Sequence, residues 1–293
     1  MQKLFLESLP TKTSFGPDWK KQISIPTNDL QKLFHERGGG VSWADSLAYL
    51  DFSWCLLEYR IMLNFVTASR NSHEHFMASS MLGQSLRQME PFGPFGLRLF
   101  DHNNRSLGAC FNEVIESAAP DDILAFIHDD VSIHDWHVGL RLEEALTQFD
   151  VVGVAGNRRR QAHQETWWMM PSRLVEGKRI LDRRDSDFLS GAIGHGRPTD
   201  ARLIRFGVSP SPVALLDGVL LAARAGRLQN SGARFDPRLA FHHYDLDFCR
   251  SASAAGLRIG TWPIALTHAS RGESVLSPAW AESVEIYLRK WGE

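Results

Sequence analysis

The sequence predicts an α/β protein with a mostly parallel central sheet flanked by helices, preceded by an N-terminal extension with one amphipathic helix. Two observations carry this expectation. Between residues 60 and 155, apolar runs of strand length alternate with segments whose apolar residues recur at helical spacing, the pattern of a parallel sheet with crossover helices. Within that region, Asp122-Ile123-Leu124-Ala125-Phe126-Ile127-His128-Asp129-Asp130-Val131 is an apolar run ending in a histidine and two adjacent carboxylates. Such a run reads as a central strand covered on both faces. Ligands of open α/β sheets bind at the carboxyl ends of these strands, and two neighbouring carboxylates repel unless a cation, proton or donor lies between them. A divalent cation is the simplest explanation.

Element by element, residues 1 to about 40 are rich in Pro, Thr, Lys and Gly and end in Gly38-Gly39-Gly40, which reads as an extension or linker. Leu47, Leu50, Trp54 and Leu57 then predict an amphipathic helix that packs rather than enters a membrane. Ile61 to Thr67 is a first strand, and Asn71 with Glu74 three residues on marks a helix start whose buried face carries Leu82, Leu86 and Met89. Phe95 to Phe100 is a second strand that ends at Asp101-His102-Asn103-Asn104. Leu107, Cys110, Phe111, Val114, Ile115 and Ala118 follow at helical spacing. After the third strand, Asp135 can cap a helix carrying Val138, Leu142, Ala145 and Phe149, and Val151 to Ala155 supplies another strand. Residues 156–212 break the rhythm, with Arg158, Arg159, Arg160, Trp167 and Trp168 among several glycines, and read as an irregular, substrate-facing insertion. Regular pattern resumes at Val213 to Ala223, followed by a helix over His242 to Ala255 and a strand over Trp262 to Thr267.

Composition narrows the class. A chain of 293 residues suggests about two domains or one large one. Its 43% hydrophobic and 23% charged content and formal net charge of -2 give no sign of bulk attraction to nucleic acid or membrane. Cys55, Cys110 and Cys249 are odd in number and widely spaced, which argues for a reducing, cytoplasmic setting without disulfides. No run approaches the length of a membrane span, and Glu7 comes too early for a secretory signal, so the expectation is a protein with no transmembrane segment but open to peripheral contact.

Three places offer chemistry. Asp129 and Asp130, with His128, present hard oxygen ligands and an imidazole that suit Mg²⁺ or Mn²⁺; a turn-capping Asp pair is the plainer reading. In His242-His243-Tyr244-Asp245-Leu246-Asp247-Phe248-Cys249-Arg250, residues two apart do not share a helix face, and Asp247 lies three before Arg250, where an ion pair is the simpler account. Asp245 is then the candidate base, kept ionised by the helix dipole; a mere helix-start carboxylate is the alternative. Asp217-Gly218 interrupts an apolar run, as either a close backbone approach to a ligand or a β-bulge would require. Walker, dinucleotide, zinc and nucleophile-elbow signatures are absent from the sequence.

Taken in order, these residues make the chain resemble family-2-like glycosyltransferases with a GT-A-type, Rossmann-like fold over roughly residues 60–270. Thr67-Ala68-Ser69-Arg70, Asp101-His102-Asn103-Asn104 before Asn112, and Phe126-Ile127-His128-Asp129-Asp130-Val131 look like its nucleotide-binding half. Val213-Ala214-Leu215-Leu216-Asp217-Gly218, Phe235-Asp236, His242 to Cys249 and Leu266-Thr267-His268 look like its acceptor half. The resemblance implies a nucleotide-binding half over 60–155, an insertion over 156–212, an acceptor half over 213–270 and a tail over 271–293. It implies a metal held by Asp130 and His268 and a base at Asp245. Substrate contacts would come from Thr67, Ser69, Arg70, Asp101, Asn103, Asn112, His128, Asp129, Asp217, Gly218 and His243. His128 stands where the family's first aspartate is usual, and Tyr244 where a glutamate often precedes the base.

The resulting expectation is a Mn²⁺- or Mg²⁺-dependent inverting glycosyltransferase using a nucleotide-diphosphate sugar and a glycan or other hydroxyl acceptor. Two alternatives stand beside it. One is a phosphohydrolase with a binuclear cluster of His128, Asp129, Asp130, His242, His243 and His268. The other is a catalytically silent sugar-nucleotide or glycan-binding module. Donor, acceptor and oligomeric state are not readable from the sequence.

Overall fold

The computed structural model describes residues 62–176, 178–269 and 277–293; the expected helix over residues 47–57 lies outside them. The first half runs β1 (Leu63–Ala68), α1 (His73–Ser79), α2 (Met81–Met89), β2 (Phe95–Phe100), α3 (Leu107–Ser117), β3 (Ile123–Ile127), β4 (Val131–Ile133), α4 (Val138–Gln148), β5 (Val151–Gly153) and β6 (Ala155–Asn157). The second runs β7 (Arg173–Val175), β8 (Lys178–Ile180), β9 (Leu189–His195), β10 (Arg202–Gly207), β11 (Ser211–Pro212), β12 (Leu215–Leu216) and β13 (Leu220–Arg224). It ends with α5 (Ala225–Ser231), α6 (Tyr244–Ala254), β14 (Ile259–Thr261), β15 (Leu266–His268) and α7 (Pro278–Lys290).

The main sheet has the order β11-β14-β5-β13-β3-β1-β2. β1 pairs in parallel with β2 and β3, and β5 with β14, whereas β13 runs antiparallel between β3 and β5 and β11 lies antiparallel on the edge. Five of the seven strands therefore point one way, and the sheet is mostly parallel as expected. β3 is apolar throughout because both of its faces are covered, and all five of its residues are buried.

Several expected boundaries move, each for a local reason. The helix expected from Asn71 is two helices. Ser72 caps α1 by accepting from the His75 N–H, and Ser80 both closes α1 and caps α2, its Oγ accepting from the Gly83 N–H at 2.9 Å. Val213 to Ala223 is not one strand, because Asp217-Gly218 sends β12 into one sheet and β13 into another. Trp262 to Thr267 is not one strand either: β14 ends at Thr261 and only Leu266 and Thr267 enter β15, with Pro263 between them lacking the N–H to continue a ladder.

Residues 156–212 are far from irregular. β6, β9, β12, β15 and β4 form a second sheet in the order β12-β6-β9-β15-β4, with β10 on β9, and β7 and β8 form a separate ribbon. Parallel pairing of β15 with β9 places His268 beside His195, and antiparallel pairing with β4 places His268 opposite Val131, next to Asp130. The second sheet thus carries His268 to the end of β3.

Beneath that point lies an aromatic cluster. Phe126 of β3 packs on Phe111 of α3 (4.8 Å between centroids) and Phe235 (5.2 Å), and Phe235 stacks on Phe248 of α6 at 4.0 Å. Asn112 holds Phe235 in place, its amide donating to Phe235 O (2.9 Å) and accepting from Phe235 N (3.0 Å).

The stretch expected as a tail contains α7, which buries Trp280, Val284, Tyr287 and Leu288. It also corrects the expected Asp247–Arg250 pair. Asp247 is fully buried and is held by Lys290 Nζ (2.8 Å) and Trp291 Nε1 (2.9 Å), while Arg250 reaches Glu293. Lys290 also reaches Asp236 at 3.0 Å. Cys110 and Cys249 are free and buried. Among the described residues, no helix is long and apolar enough to cross a membrane.

Lys290 is partly exposed, but removing it leaves the fully buried Asp247 carboxylate without its cationic partner. Lys290→Met should therefore lower the unfolding free energy in urea by about 3 kcal/mol. Removing the exposed Arg105–Glu113 pair, both members of which face solvent, should cost less than about 1 kcal/mol in the same measurement.

Candidate functional site

A cavity of about 750 Å³ opens at the carboxyl end of β3. One side of it is formed by His128, Asp129, Asp130 and His268, the floor by Asp217, Gly218, Tyr244 and Asp245, and other parts of the wall by Glu165, Trp168, His242, His243 and Trp280. Its volume falls in the range of small-molecule sites.

Gly218 makes this convergence possible. A Cβ there would lie 2.4 Å from Tyr244 Oη and 3.0 Å from Asp245 Cβ, so only glycine lets the start of α6 approach the β12–β13 turn. Of the two readings of Asp217-Gly218, the close approach is what the structure has, and the approaching group is the protein's own helix. Asp217 accepts from the Val219 N–H at 2.9 Å, which sets the turn.

The hydrogen bonds at this contact determine which ring nitrogen of His128 carries a proton. Tyr244 is buried, and burial, then the neighbouring Asp245 and Asp217, push its phenol well above the ordinary value, so it keeps its proton. Tyr244 Oη donates that proton to Gly218 O at 2.8 Å. Its 2.9 Å contact with His128 Nε2 must then be one in which His128 donates. Burial, reinforced by His268, holds the His128 pKa below the usual imidazole value, so the ring is neutral with its lone pair on Nδ1.

That lone pair faces His268 Nε2 at 3.4 Å, and His268 Nε2 lies 3.2 Å from Asp130 Oδ1. Burial lowers the His268 pKa, but the hydrogen bond and charge of Asp130 outweigh it and the net shift is upward. For Asp130, burial raises the pKa and His268 more than reverses it. One ligand atom from each of His128, Asp130 and His268 lies within 4.8 Å of the others. A proton on His268 Nε2 holds the group together here. Two imidazoles and a carboxylate around one point, with two lone pairs released once that proton leaves, fit a divalent cation.

Asp245 accepts from the Gly218 N–H and the Leu246 N–H, each at 2.9 Å. Burial, then the charge of Asp217, pushes its pKa up to about 7 against these bonds. The helix dipole therefore does not keep it ionised as the sequence reading expected; desolvation is the larger effect. A carboxylate poised near neutrality at the foot of a cavity suits a general base.

The other sequence-selected residues lie outside the wall. Thr67 and Ser69 are buried at the end of β1, where only Ala68 reaches the cavity. Thr67 Oγ1 has no partner among the described residues, and Ser69 Oγ accepts from the Asn71 N–H. Arg70 is exposed. Asp101 accepts from the His73 N–H, Asn103 bonds the Arg105 backbone, and Asn112 is engaged with Phe235. Sequence reasoning in turn missed Glu165 and Trp280, which stand in stretches assigned to an insertion and a tail, and named Trp168 only as part of a substrate-facing insertion. Tyr244 was noticed only as a departure.

No protein-family model matches the sequence, and no curated protein matches it. Solved structures similar to the chain include A197 from STIV, at 12% identity and a TM-score of 0.38, covering 71% of this chain and 85% of that one. Another is GalNAc-T7 with UDP, GalNAc and Mn²⁺, at 11% identity and a TM-score of 0.41, covering 78% of this chain and 48% of that one. A third is S. aureus TarS 1–349 in complex with UDP, at 13% identity and a TM-score of 0.36, covering 76% of this chain and 63% of that one. The chain thus spans about half the length of GalNAc-T7 and under two thirds of the TarS chain.

If Tyr244 sets the His128 tautomer, Tyr244→Phe should weaken Mn²⁺ binding in calorimetry by about 10- to 100-fold, as loss of a ligand-orienting partner does. The thermal midpoint should fall by only a few degrees, because the ring and its packing remain while Gly218 O and the His128 Nε2–H lose their shared partner. Unaltered Mn²⁺ affinity would show that the hydroxyl has no part in orienting His128.

Proposed function

We propose that this chain is a metal-dependent inverting glycosyltransferase of the GT-A type, moving a sugar from a nucleotide-diphosphate sugar to an acceptor hydroxyl in a cytoplasmic, reducing setting. Residues 60–155 would supply the nucleotide-binding half and residues 213–270 most of the acceptor half. The observation that carries the reading is the shared cavity: a carboxyl group poised near neutrality, Asp245, faces the same space as the His128, Asp130 and His268 group.

His128, Asp130 and His268 would hold Mn²⁺ or Mg²⁺, whose charge offsets that of the diphosphate leaving group. The chain's own part is then to orient and to move one proton. Asp245, held by the Gly218 and Leu246 N–H groups, accepts the proton of the acceptor hydroxyl. As that O–H bond breaks, the oxygen attacks the anomeric carbon from the side opposite the diphosphate, and the carbon–oxygen bond to the diphosphate breaks with its electron pair. A single displacement of this kind inverts the configuration. Burial, then the charge of Asp217, keeps the Asp245 pKa high enough for Asp245 to take a proton near neutrality.

The phosphohydrolase reading asks for a binuclear cluster that includes His242 and His243. Among the described residues, the one group able to gather a metal is His128, Asp130 and His268. Neither His242 nor His243 belongs to that group, and His243 Nδ1 is engaged with Ser283.

Transfer from a panel of labelled nucleotide sugars, with Mn²⁺, tests the proposal. Asp245→Asn should lose on the order of 10³-fold in turnover while binding nucleoside diphosphate as the wild type does, and full activity in that variant would remove Asp245 as the base. The pH dependence follows from the raised pKa: the base works deprotonated, so kcat/KM should fall about tenfold per pH unit below about 7. A profile flat down to pH 5 would contradict the assignment.

A further inference from the structure

The strand that carries His268 has a second cavity behind it. Side chains along a strand alternate between its faces, and cross-strand partners share a face. His268 and its β9 partner His195 therefore point to one side of the second sheet, and His268 lines the cavity described above. Thr267, its β9 partner Gly194, Leu203 opposite Gly194, and Ala192 with its β10 partner Arg205 point to the other. On that side lies a cavity of about 580 Å³ lined by all five of these residues, and none of its lining residues belongs to the first cavity.

The floor of this second cavity is low and apolar. A Cβ at Gly194 would lie 2.7 Å from Thr267 Oγ1, so β9 and β15 meet there without an intervening side chain. Ile264 and Leu266 line it further along the chain, and Leu203 stands 72% exposed within its wall. Among the described residues, no tryptophan, tyrosine or phenylalanine lines it, so it offers no ring to stack on a nucleobase or on the face of a sugar.

Its polar groups divide into those already engaged and those that are not. His134 Nε2 and Thr267 Oγ1 bond each other at 2.7 Å, and Asp135 accepts from the His137 N–H at 3.0 Å. Arg205 is exposed and has no hydrogen bond or ion pair with any described residue. Arg141 of α4, also in the lining, comes only within 3.5 Å of Asp135 and 3.9 Å of Glu144. Two guanidinium groups with unspent N–H donors thus stand beside an apolar floor.

We infer that the second cavity binds an aliphatic anion, an acyl or alkyl chain lying over β9 and β15 with its carboxylate or phosphate held by Arg205 and Arg141. The planar fork of an arginine matches both head groups. The chain covers apolar surface that is otherwise left to water. This site goes beyond the proposed glycosyl transfer and does not rest on it.

Calorimetry on the full chain tests the assignment, with EDTA present so that no metal bridges a phosphate into the first cavity. The probes are decyl phosphate and decanoate below their micelle concentrations. Decyl glucoside keeps the chain without the charge, and inorganic phosphate keeps the charge without the chain. Both anions should bind at one site, and each control at least about tenfold more weakly. Arg205→Ala should weaken decyl phosphate by about 10- to 100-fold, the worth of a hydrogen bond to a charged group. Ala192→Leu, which places a side chain on the floor, should weaken both anions to a similar degree. Octyl phosphate should bind about tenfold more weakly than decyl phosphate, because two fewer methylenes are buried. Asp245→Asn, altered in the first cavity, should bind both anions as the wild type does.

Flotation with vesicles of phosphatidylglycerol or of phosphatidylcholine separates two sources of the same chemistry. Retention on phosphatidylglycerol alone, lost in Arg205→Ala, assigns the anion to a membrane lipid. Binding of the free amphiphiles without retention assigns it to a free acyl or alkyl anion. Decyl glucoside binding as tightly as decyl phosphate overturns the inference, as does anion binding that survives both Arg205→Ala and Ala192→Leu. Loss of anion binding in Asp245→Asn would place the ligand in the first cavity and also overturn it, as would neither binding nor retention. None of these outcomes depends on transfer from a nucleotide sugar.

Discussion

The contact between Tyr244 and Gly218 is the constraint on which the site depends. A backbone without a Cβ lets the first turn of α6 come close enough for the Tyr244 hydroxyl to reach the Gly218 carbonyl, and the same hydroxyl accepts a hydrogen bond from the Nε2–H of His128. Three segments far apart in sequence meet there: the end of β3, the turn between β12 and β13, and the start of α6. Asp245 follows Tyr244 directly and is held by the N–H of the same glycine. The position of Asp245 and the His128 tautomer are thus set by one close approach. The aromatic packing of Phe111, Phe126, Phe235 and Phe248 lies beneath it and resists any widening.

The electrostatics of the cavity divide into two parts that work in opposite senses. Around Asp245, burial and the Asp217 carboxylate favour the protonated acid, which leaves the group able to take a proton near neutrality. Around Asp130, a histidine neighbour favours the carboxylate, and the carboxylate in turn favours a proton on His268. That proton stands where a cation would compete for the same lone pairs, so cation binding and proton release are coupled.

Much of this was legible in the sequence where local pattern decides structure. Phe95–Phe100 matches its expected limits, and β3 and α3 match within a few residues, because strong apolar periodicity and Ser or Asp at the ends leave little choice. The cavity gathers His128, Asp129, Asp130, Asp217, Gly218, His243, Asp245 and His268, all within motifs picked out from residue type and order. What could not be read is non-local. The second sheet is made of two- to seven-residue strands, several rich in glycine, whose pairing is decided by partners tens of residues away. Asp247 finds Lys290 across 43 residues, a partner no helical spacing suggests. The proton position on His128 follows from what Gly218 O can accept, which only the assembled hydrogen bonds reveal.

The central claim is that His128 Nδ1, Asp130 Oδ1 and His268 Nε2 close around one divalent cation in the cavity that holds Asp245. Diffraction from crystals grown with Mn²⁺ and a nucleoside diphosphate tests it most directly, because manganese has its own anomalous signal. A single strong anomalous peak about 2.0–2.3 Å from all three atoms, with the diphosphate reaching it from the cavity side, is the expected result. A cavity that binds the nucleotide with no manganese peak at these residues, or with the peak at other ligands, would contradict it.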